Sequence, residues 1–295
     1  MTDVIERRAP RSNPTVNAYR TGLRRGLASA RIQLTSPGEI FGTLVMMGIM
    51  ITVLVMMSSG DFAGAGVDLG SMGLPGVIAM SVLFGSTMGI VGVLSMDRTN
   101  GTLLRSKSVP GGTTGYLVGE MAANILTNLA SAVLMLIVGL IVFDGLEFAS
   151  PLRWALFAAV LVLGMASTLA IGAVLGALIS NPKHMGLVML PVMGLIGISG
   201  IFYPLVALPG WVQGIAQVFP LYWYGLGLRA SLLPGETAAV EVAGSWRLEW
   251  VFVVLAAWAI VGLALAPKLL SRMARRESGS TLAARRRDVQ QQWGV

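Results

Sequence analysis

The sequence predicts an all-α membrane protein with six transmembrane helices, and three observations lead to that fold class. Hydrophobic residues make up 55% of the 295 residues and charged residues only 12%, whereas soluble proteins carry about 25% charged residues. Mean hydropathy is +0.75, and the chain contains several long uncharged runs. A helix needs about 20 mostly apolar residues to cross a bilayer. The basic residues concentrate in alternate connections between the runs, as in a multi-pass membrane protein.

Six uncharged runs define the predicted spans of a membrane domain that covers residues 15–272. The spans are placed near residues 39–59, 74–96, 117–143, 153–179, 185–203 and 249–269. Almost none of the runs shows the strict apolar–polar alternation of a barrel strand, which favours helices. A disordered basic N-terminus is predicted for residues 1–14, and a basic cytoplasmic tail for residues 273–295.

The distribution of positive charge predicts that both ends of the chain are cytoplasmic. Of the 21 lysines and arginines, 18 fall in the two terminal segments and in alternate loops. The opposite loops contain only Arg153, Arg229 and Arg247. Lysine and arginine are retained on the cytoplasmic side of a membrane, so the side with 18 basic residues is the inner one. Two inner ends require an even number of spans, and six satisfies that condition.

A basic amphipathic helix is predicted over residues 15–36, ahead of the first span. Apolar residues, among them Leu23 and Leu27, recur every three or four positions, and Arg20 and Arg24 flank that stripe. Such a helix can lie in the inner headgroup layer with its apolar face toward lipid. A soluble surface helix is the alternative, because few residues of the stripe are large aliphatics.

The segment from Asp97 to Pro110 connects the second and third predicted spans on the cytoplasmic side, and we call it the inner connection. Leu103, Leu104 and Val109 give it an apolar edge, and Pro110 with two following glycines ends it. A short amphipathic helix at the inner face of a membrane could dock a cytoplasmic partner. A solvated connecting loop is the alternative interpretation.

The segment after the fifth span, which we call the outer segment, stays uncharged until Arg229. Pro204, Pro209 and Pro220 divide it, so one continuous helix is excluded. We predict two short helices that dip into the outer leaflet. A plain belt of interfacial aromatics is the alternative, since such rings favour the headgroup layer. The aromatic residues concerned are Tyr203, Trp211, Tyr222, Trp223 and Tyr224.

Two spans contain glycines four residues apart. Gly85 and Gly89 lie in the second span, and Gly172 and Gly176 in the fourth. Small residues at this spacing allow helices to approach closely in lipid. They therefore predict packing faces rather than a transport pathway.

The residues that would carry catalysis or metal binding are absent from the sequence. The chain has no cysteine, no Gly-Lys-[Ser/Thr] phosphate-binding loop and a single histidine, His184. Glu39 and Glu120 are predicted at the ends of spans and not at mid-membrane. We therefore expect no catalytic residue, no metal and no cofactor in this chain, and the basic charge is assigned to a membrane surface, not to nucleic acid.

Two stretches carry a resemblance to a known family. Asp97–Glu120, which contains Asn-Gly-Thr-Leu-Leu-Arg-Ser-Lys-Ser-Val-Pro and later Tyr-Leu-Val-Gly-Glu, resembles the cytoplasmic segment of type-2 ATP-binding-cassette exporter permeases. The outer stretch from Ser199 to Arg229, with Phe-Tyr-Pro-Leu-x-x-Leu-Pro-Gly-Trp-Val-Gln, is similar to the same family's segment before the last span. The resemblance covers residues 16–272. Three residues depart from the family pattern, which often has Glu, Lys and Asn at positions occupied here by Leu104, Glu120 and Phe219.

The resemblance implies a non-hydrolysing transmembrane subunit of an exporter in a bacterial plasma membrane. It implies efflux of a small amphipathic drug or lipid, a second permease chain, contact with membrane lipids, and a separate cytoplasmic ATPase dimer that binds ATP with magnesium. The coupling helix to that ATPase would include Asp97, Gly101, Thr102, Leu103, Leu104, Arg105 and Pro110. The external gate, formed by re-entrant helices, would include Phe202, Tyr203, Pro204, Pro209, Trp211, Pro220 and Arg229. The N-terminal elbow helix would present Arg20, Leu23, Arg24 and Leu27.

Three other functions remain in competition at this point. A secondary transporter or channel would work without ATP, but the lack of carboxylates at mid-span counts against proton coupling. A membrane enzyme acting on lipids is disfavoured because no acid–base constellation is visible. An exporter of a lipid-linked polysaccharide fits less well, because 17 methionines and an aromatic outer segment favour an amphipathic compound.

Overall fold

The computed structural model describes residues 14–58, 68–106, 108–109, 111–148, 150–178 and 185–276. These residues form helices and short turns and contain no β-strand. The helices are α1 (Pro14–Thr35), α2 (Pro37–Met57), α3 (Leu69–Asn100), α4 (Thr102–Ser106), α5 (Gly112–Val142), α6 (Pro151–Leu178), α7 (Met185–Ile198), α8 (Gly210–Val218), α9 (Pro220–Leu232) and α10 (Leu248–Arg276). The basic ends and His184, for which the sequence made predictions, lie outside the described residues.

Five of the described helices are long and apolar enough to cross a membrane, namely α2, α3, α5, α6 and α10. They coincide with five of the predicted spans. The remaining predicted span, near residues 185–203, overlaps α7, of which 14 residues are described, fewer than the roughly 20 that a crossing needs. Residues 179–184, directly before α7, lie outside the described part of the chain. The all-helical membrane fold is therefore confirmed, and the sixth span stays a prediction.

Helix α3 is continuous over 32 residues, or roughly 48 Å at about 1.5 Å per residue. Asp68 caps its first turn and accepts a hydrogen bond from the backbone N–H of Ser71 at 2.9 Å. Gly101 ends it with a φ of 75°, in the left-handed region that favours glycine. One unbroken helix therefore connects the two ends of the bundle.

Small residues let α3 approach both of its long neighbours. A Cβ on Gly172 of α6 would overlap the α3 backbone. On the α5 side, Gly85 leaves room for Asn128 and Gly89 for Asn124. Asn124 also donates a hydrogen bond to the Gly85 carbonyl at 3.0 Å. Both glycine motifs thus lie at helix contacts, as the sequence predicts.

The most buried element is α9, in which every residue is inaccessible. It packs against α3, α6 and α10, and its side chains contribute much of the apolar core. By contrast, only Leu54 of α2 is buried, and α2 exposes apolar side chains on most of its surface. An exposed apolar surface suits a helix that contacts lipid or a second membrane protein.

The inner connection and the α5–α6 loop lie at opposite ends of the bundle, because they adjoin the two ends of α5. At one end, the backbone N–H of Glu147 donates to the Leu232 carbonyl at 2.8 Å, and Arg153 Nη1 donates to the Leu233 carbonyl at 2.5 Å. These contacts join the α5–α6 loop to the outer segment. At the other end, α1 packs along the first turns of α5, next to the inner connection.

Candidate functional site

The inner connection folds as a tight turn around the five-residue helix α4. Left-handed glycines stand on both sides of it, Gly101 with φ 75° and Gly111 with φ 71°. Arg105 Nη2 donates to the Asn100 carbonyl at 3.4 Å, and the Gly112 N–H donates to the Val109 carbonyl at 2.9 Å. These bonds hold α4 against the adjoining ends of α3 and α5.

The separate helix is shorter than the sequence indicates. The pattern placed one helix near Asp97–Val109, but residues 97–100 continue α3 and only Thr102–Ser106 form α4. The left-handed conformation of Gly101 is the physical reason for the break. Of the predicted coupling residues, Arg105 is exposed and Thr102 and Leu104 are half-buried. The side chain of Leu103 and the whole of Pro110 lie outside the described part of the chain.

Polar contacts tie the inner connection to α5 and α1. The Tyr116 hydroxyl of α5 donates to Oδ2 of Asp97 at 2.7 Å, beside the end of α3. Arg25 of α1 forms an ion pair with Glu120 of α5 at 3.1 Å, and its guanidinium carbon lies 5.0 Å from the centre of the Tyr116 ring. Three elements therefore meet at one cluster, which we call the inner latch: Arg25, Asp97, Tyr116 and Glu120.

Helix α1 is docked on α5 by small residues. A Cβ on Gly22 or Gly26 would overlap the carbonyl oxygens of Gly115 and Gly119, respectively. Ala30, one further turn along, is also buried. The sequence interpretation missed this face, although Gly22-x-x-x-Gly26 and Gly115-x-x-x-Gly119 have the spacing that permits close helix contact.

The opposite surface of α1 carries the residues predicted for the elbow helix. Arg20, Leu23, Arg24 and Leu27 are all exposed. The apolar stripe is therefore free to contact lipid, with the arginines along its edge. The face that α5 covers is made of glycine and alanine. The placement of α1 in the headgroup layer stays a prediction.

The outer segment contains two short helices, α8 and α9, joined at Phe219. Pro220 occupies the first turn of α9, where the missing N–H of proline has no cost. Among the predicted gate residues, Phe202, Pro209 and Trp211 are exposed, Tyr203 and Pro204 are half-buried, and Pro220 and Arg229 are buried. The Tyr203 hydroxyl donates to the Gly197 carbonyl at the end of α7.

Three of the aromatics do not lie where an interfacial belt would place them. Trp211 is exposed, but Tyr222, Trp223 and Tyr224 are buried inside the protein. Tyr224, for example, packs on Gly164 of α6. The composition of the segment could not separate these cases, since the same rings suit a headgroup layer and a protein interior.

Arg229 forms a buried ion pair that the sequence did not indicate. Its Nε donates to Glu241 Oε1 at 2.6 Å, and the two side chains are only 4% and 3% exposed. Arg229 Nη1 also donates to the carbonyls of Gly200 and Ile201, at 3.3 and 3.4 Å. One guanidinium thus joins α9 to the turn after α7 and to the connection before α10. We call this group the outer clasp.

A second arginine holds the same region at the start of α10. Arg247 Nη1 donates to Gln217 Oε1 at 3.0 Å, and Nη2 donates to the Tyr222 hydroxyl at 2.6 Å. Its guanidinium carbon lies 4.8 Å from the centre of the Trp223 ring. The arginine therefore stabilises the α8–α9 junction through both hydrogen bonds and a cation–π contact.

The three basic residues on the predicted outer side all have structural partners. Arg229 and Arg247 bind as described, and Arg153 forms an ion pair with Glu147 at 2.8 Å. These partners explain why three arginines occur on the predicted outer side, although the other basic residues of the chain are on the predicted inner side. Glu241, in the connection before α10, is the buried carboxylate that pairs with Arg229.

A set of long apolar helices, with a tightly turned connection at one end and a broken helical segment at the other, defines a multi-pass membrane protein. The comparison with protein families agrees with that class. A family model described as ABC-2 family transporter protein matches residues 66–263, about two thirds of the chain. The chain therefore belongs to the ABC-2 family and is a permease of that type. No curated protein matches it.

Membership in this family implies a partner component that contains an ATP-binding cassette. Members of the family are generally transport subunits without catalytic activity of their own. The matched residues 66–263 include the inner connection, α9 and the outer clasp, and they do not include α1.

Proposed function

We propose that this chain is the transmembrane subunit of an ATP-driven exporter that moves a small amphipathic compound, a drug or a lipid, out of the cell. A separate ATPase dimer supplies the energy, binds ATP with magnesium, and contacts the chain at α4. A second permease chain, identical or related, completes the transporter. The chain holds no cofactor, resides in a bacterial plasma membrane, and keeps both ends in the cytoplasm.

The observation that carries the proposal is the continuous path from α4 to the outer segment. Helix α3 begins beside the outer segment, where Gly76 faces the Ile201 carbonyl, and it ends at Gly101 next to α4. The inner latch fixes Asp97 of α3 to Tyr116 of α5, so both helices move with the connection. Packed helices move as rigid bodies, so force applied to α4 reaches the outer segment.

The outer segment supports the assignment of a gate. The Ile201 carbonyl that faces α3 also accepts a hydrogen bond from Arg229 of the outer clasp. A displacement of α3 would therefore act on the turn after α7 and on α9 together. Exposed Phe202 and Trp211 remain at the surface of this region, where a departing amphipathic compound would meet them.

The ATPase contact is tested by reversing the surface character of α4. We expect Leu104→Asp combined with Arg105→Glu to reduce ATPase co-purification at least about tenfold, a loss of about 1.4 kcal/mol of binding. The ATPase for this experiment is a soluble Walker-type protein, to be sought first in an adjacent reading frame. Arg24→Glu, an exposed charge reversal on α1 at the same end, is the control and should retain it. Undiminished co-purification with the α4 variant would remove this assignment.

The orientation is tested with single cysteines, because the chain has none of its own. We expect Leu152→Cys, at an exposed position beside the outer segment, to react with an impermeant maleimide added to intact cells. Val109→Cys, exposed in the inner connection, should react only after the membrane is permeabilised. The reverse labelling pattern would overturn the inner placement of both ends.

A further inference from the structure

An apolar cavity lies between α6, α7 and α10, beside the α8–α9 junction. It has a volume of about 370 Å³, within the range of roughly 300–1,000 Å³ that small-molecule sites occupy. Val174 of α6, Leu195 of α7 and Val261 of α10 line its walls, and Phe219 and Trp258 close one end. None of the described contacts assigns it a role in packing.

The lining excludes water and charge. All the described residues that line the cavity are aliphatic, aromatic, proline or glycine. The one polar atom of Trp258, its indole Nε1, donates to the Val218 carbonyl at 2.9 Å and is therefore already satisfied. A water molecule needs two to four polar partners, and none is available here. Only an uncharged apolar group can fill the space.

The cavity is reached from the membrane. Pro191 of α7 and Val261 and Leu265 of α10 line it and are exposed. Helix α10 is one of the five helices that can cross a bilayer, so its exposed apolar side chains face lipid or a neighbouring membrane chain. Where lipid covers this face, an occupant can enter sideways from the hydrocarbon layer.

The aromatic end of the cavity favours a ring over an acyl chain. The rings of Phe219 and Trp258 stack with centroids 5.9 Å apart and planes at 28°, and both line the space. Aromatic rings gain from packing on another ring beyond the area they bury. Acyl chains are as apolar as the cavity wall, so burial of apolar surface alone does not favour a ring over an acyl chain. A rigid ring, however, loses less conformational entropy on binding than a flexible chain.

We propose that this cavity binds the compact, uncharged ring system of an amphipathic substrate, whose polar part stays outside. The proposal rests on the proposed export function, for which it specifies the substrate class. The matching occupant is a bicyclic or tricyclic aromatic group. The acyl chain of a membrane lipid is the competing occupant.

The test measures quenching of Trp258 fluorescence by 2-bromonaphthalene, with the full chain in lipid nanodiscs. The Trp258→Phe variant identifies the contribution of this one residue among the seven tryptophans. We expect the fluorescence of Trp258 to be quenched in a saturable manner, and the midpoint is the 2-bromonaphthalene concentration that gives half of the full quenching. Val174→Phe, which fills the cavity, should raise the midpoint at least about tenfold, a change of about 1.4 kcal/mol.

Val162→Phe is the matched control, since it makes the same change on the same helix at a position that is 61% exposed. Its midpoint should stay within about twofold of the wild-type value. Leu195→Ala, which enlarges the wall, is a second variant and should shift the preference toward 9-bromoanthracene. These readouts keep the test decisive even where Val174→Phe disturbs packing.

Two results would overturn the ring site. Equal midpoints for Val174→Phe and Val162→Phe would show that the probe only partitions into the bilayer. Quenching of Trp258 by brominated phospholipid, with no relief from added naphthalene, would show that an acyl chain fills the cavity. Binding is measured without the ATPase, so either failure leaves the permease assignment intact, and a failed ATPase test would leave the binding result intact.

Discussion

Replacing Glu241 with alanine is expected to lower the free energy of unfolding by about 3–5 kcal/mol. The substitution leaves the Arg229 guanidinium buried without its carboxylate, at a site where both side chains are almost fully inaccessible. A buried charge that loses its partner has no water to replace it, so the full desolvation penalty is felt. Denaturant titration of the purified protein in detergent micelles measures the change.

An exposed ion pair at the same end of the bundle provides the control. Glu147 pairs with Arg153, but its side chain is 57% exposed. Exposed pairs contribute about 0–1 kcal/mol, so Glu147→Ala should cost no more than that. Replacing both Arg229 and Glu241 with apolar residues should cost less than Glu241→Ala alone, because no unpaired charge remains. Equal costs for the Glu241 and Glu147 variants would show that the outer clasp does not fasten this region.

Enlarging the glycines of α1 is expected to release this helix from α5. In the Gly22→Leu, Gly26→Leu variant, each new side chain would overlap a carbonyl oxygen of α5. Overpacking of this kind costs about 1–3 kcal/mol per site, so the docked state loses much of its population. The release also separates Arg25 from Glu120 and breaks the inner latch.

A cysteine at Ala30, which is 3% exposed, reports the release. Its maleimide labelling rate should rise at least about tenfold in the double-leucine variant, since a shift of about 1.4 kcal/mol changes a population tenfold. Gly42→Leu with Gly48→Leu is the matched control, because nothing lies within 4 Å of a Cβ at either position of α2. Equal labelling rates in the two variants would contradict the docking of α1 by its small residues.

The sequence was sufficient to predict the long helices, because hydropathy and length directly reflect the requirements of a bilayer. The charge distribution placed the inner connection and the α5–α6 loop on opposite sides, and these two segments lie at opposite ends of α5. The side that is cytoplasmic stays a prediction. The limits appear at α7, where one span is predicted over residues 185–203 but the helix ends at Ile198. The predicted span has no charge to mark its end, and Ser199 and Gly200 form a turn instead.

The contacts within the candidate site could not be derived from the sequence for a different reason. Arg229 and Glu241 are 12 residues apart and meet only because the chain reverses after α9. Every residue of α9 is buried, so that helix has no polar face to reveal its partners. The docking of α1 on α5 is partly visible in the sequence, since the glycine spacing of both helices indicates a close contact, but the identity of the partner helix is not encoded locally.

The proposed function specifies two things, the class of substrate and the source of energy. The structure contributes the path through α3, the outer clasp and an apolar cavity, and the family match contributes the class of transporter. In the proposed function, α4 is the point at which the ATPase acts, since it lies between α3 and α5 at the end of the bundle that is predicted to be cytoplasmic.

The most direct test of that claim is uptake of a lipophilic dye by inside-out vesicles that contain the chain with or without its ATPase. We predict uptake only when ATP and the ATPase are both present, and loss of uptake in the Leu104→Asp, Arg105→Glu variant. The Arg24→Glu control should transport normally. Equal uptake by the chain alone, without nucleotide or partner, would contradict the account.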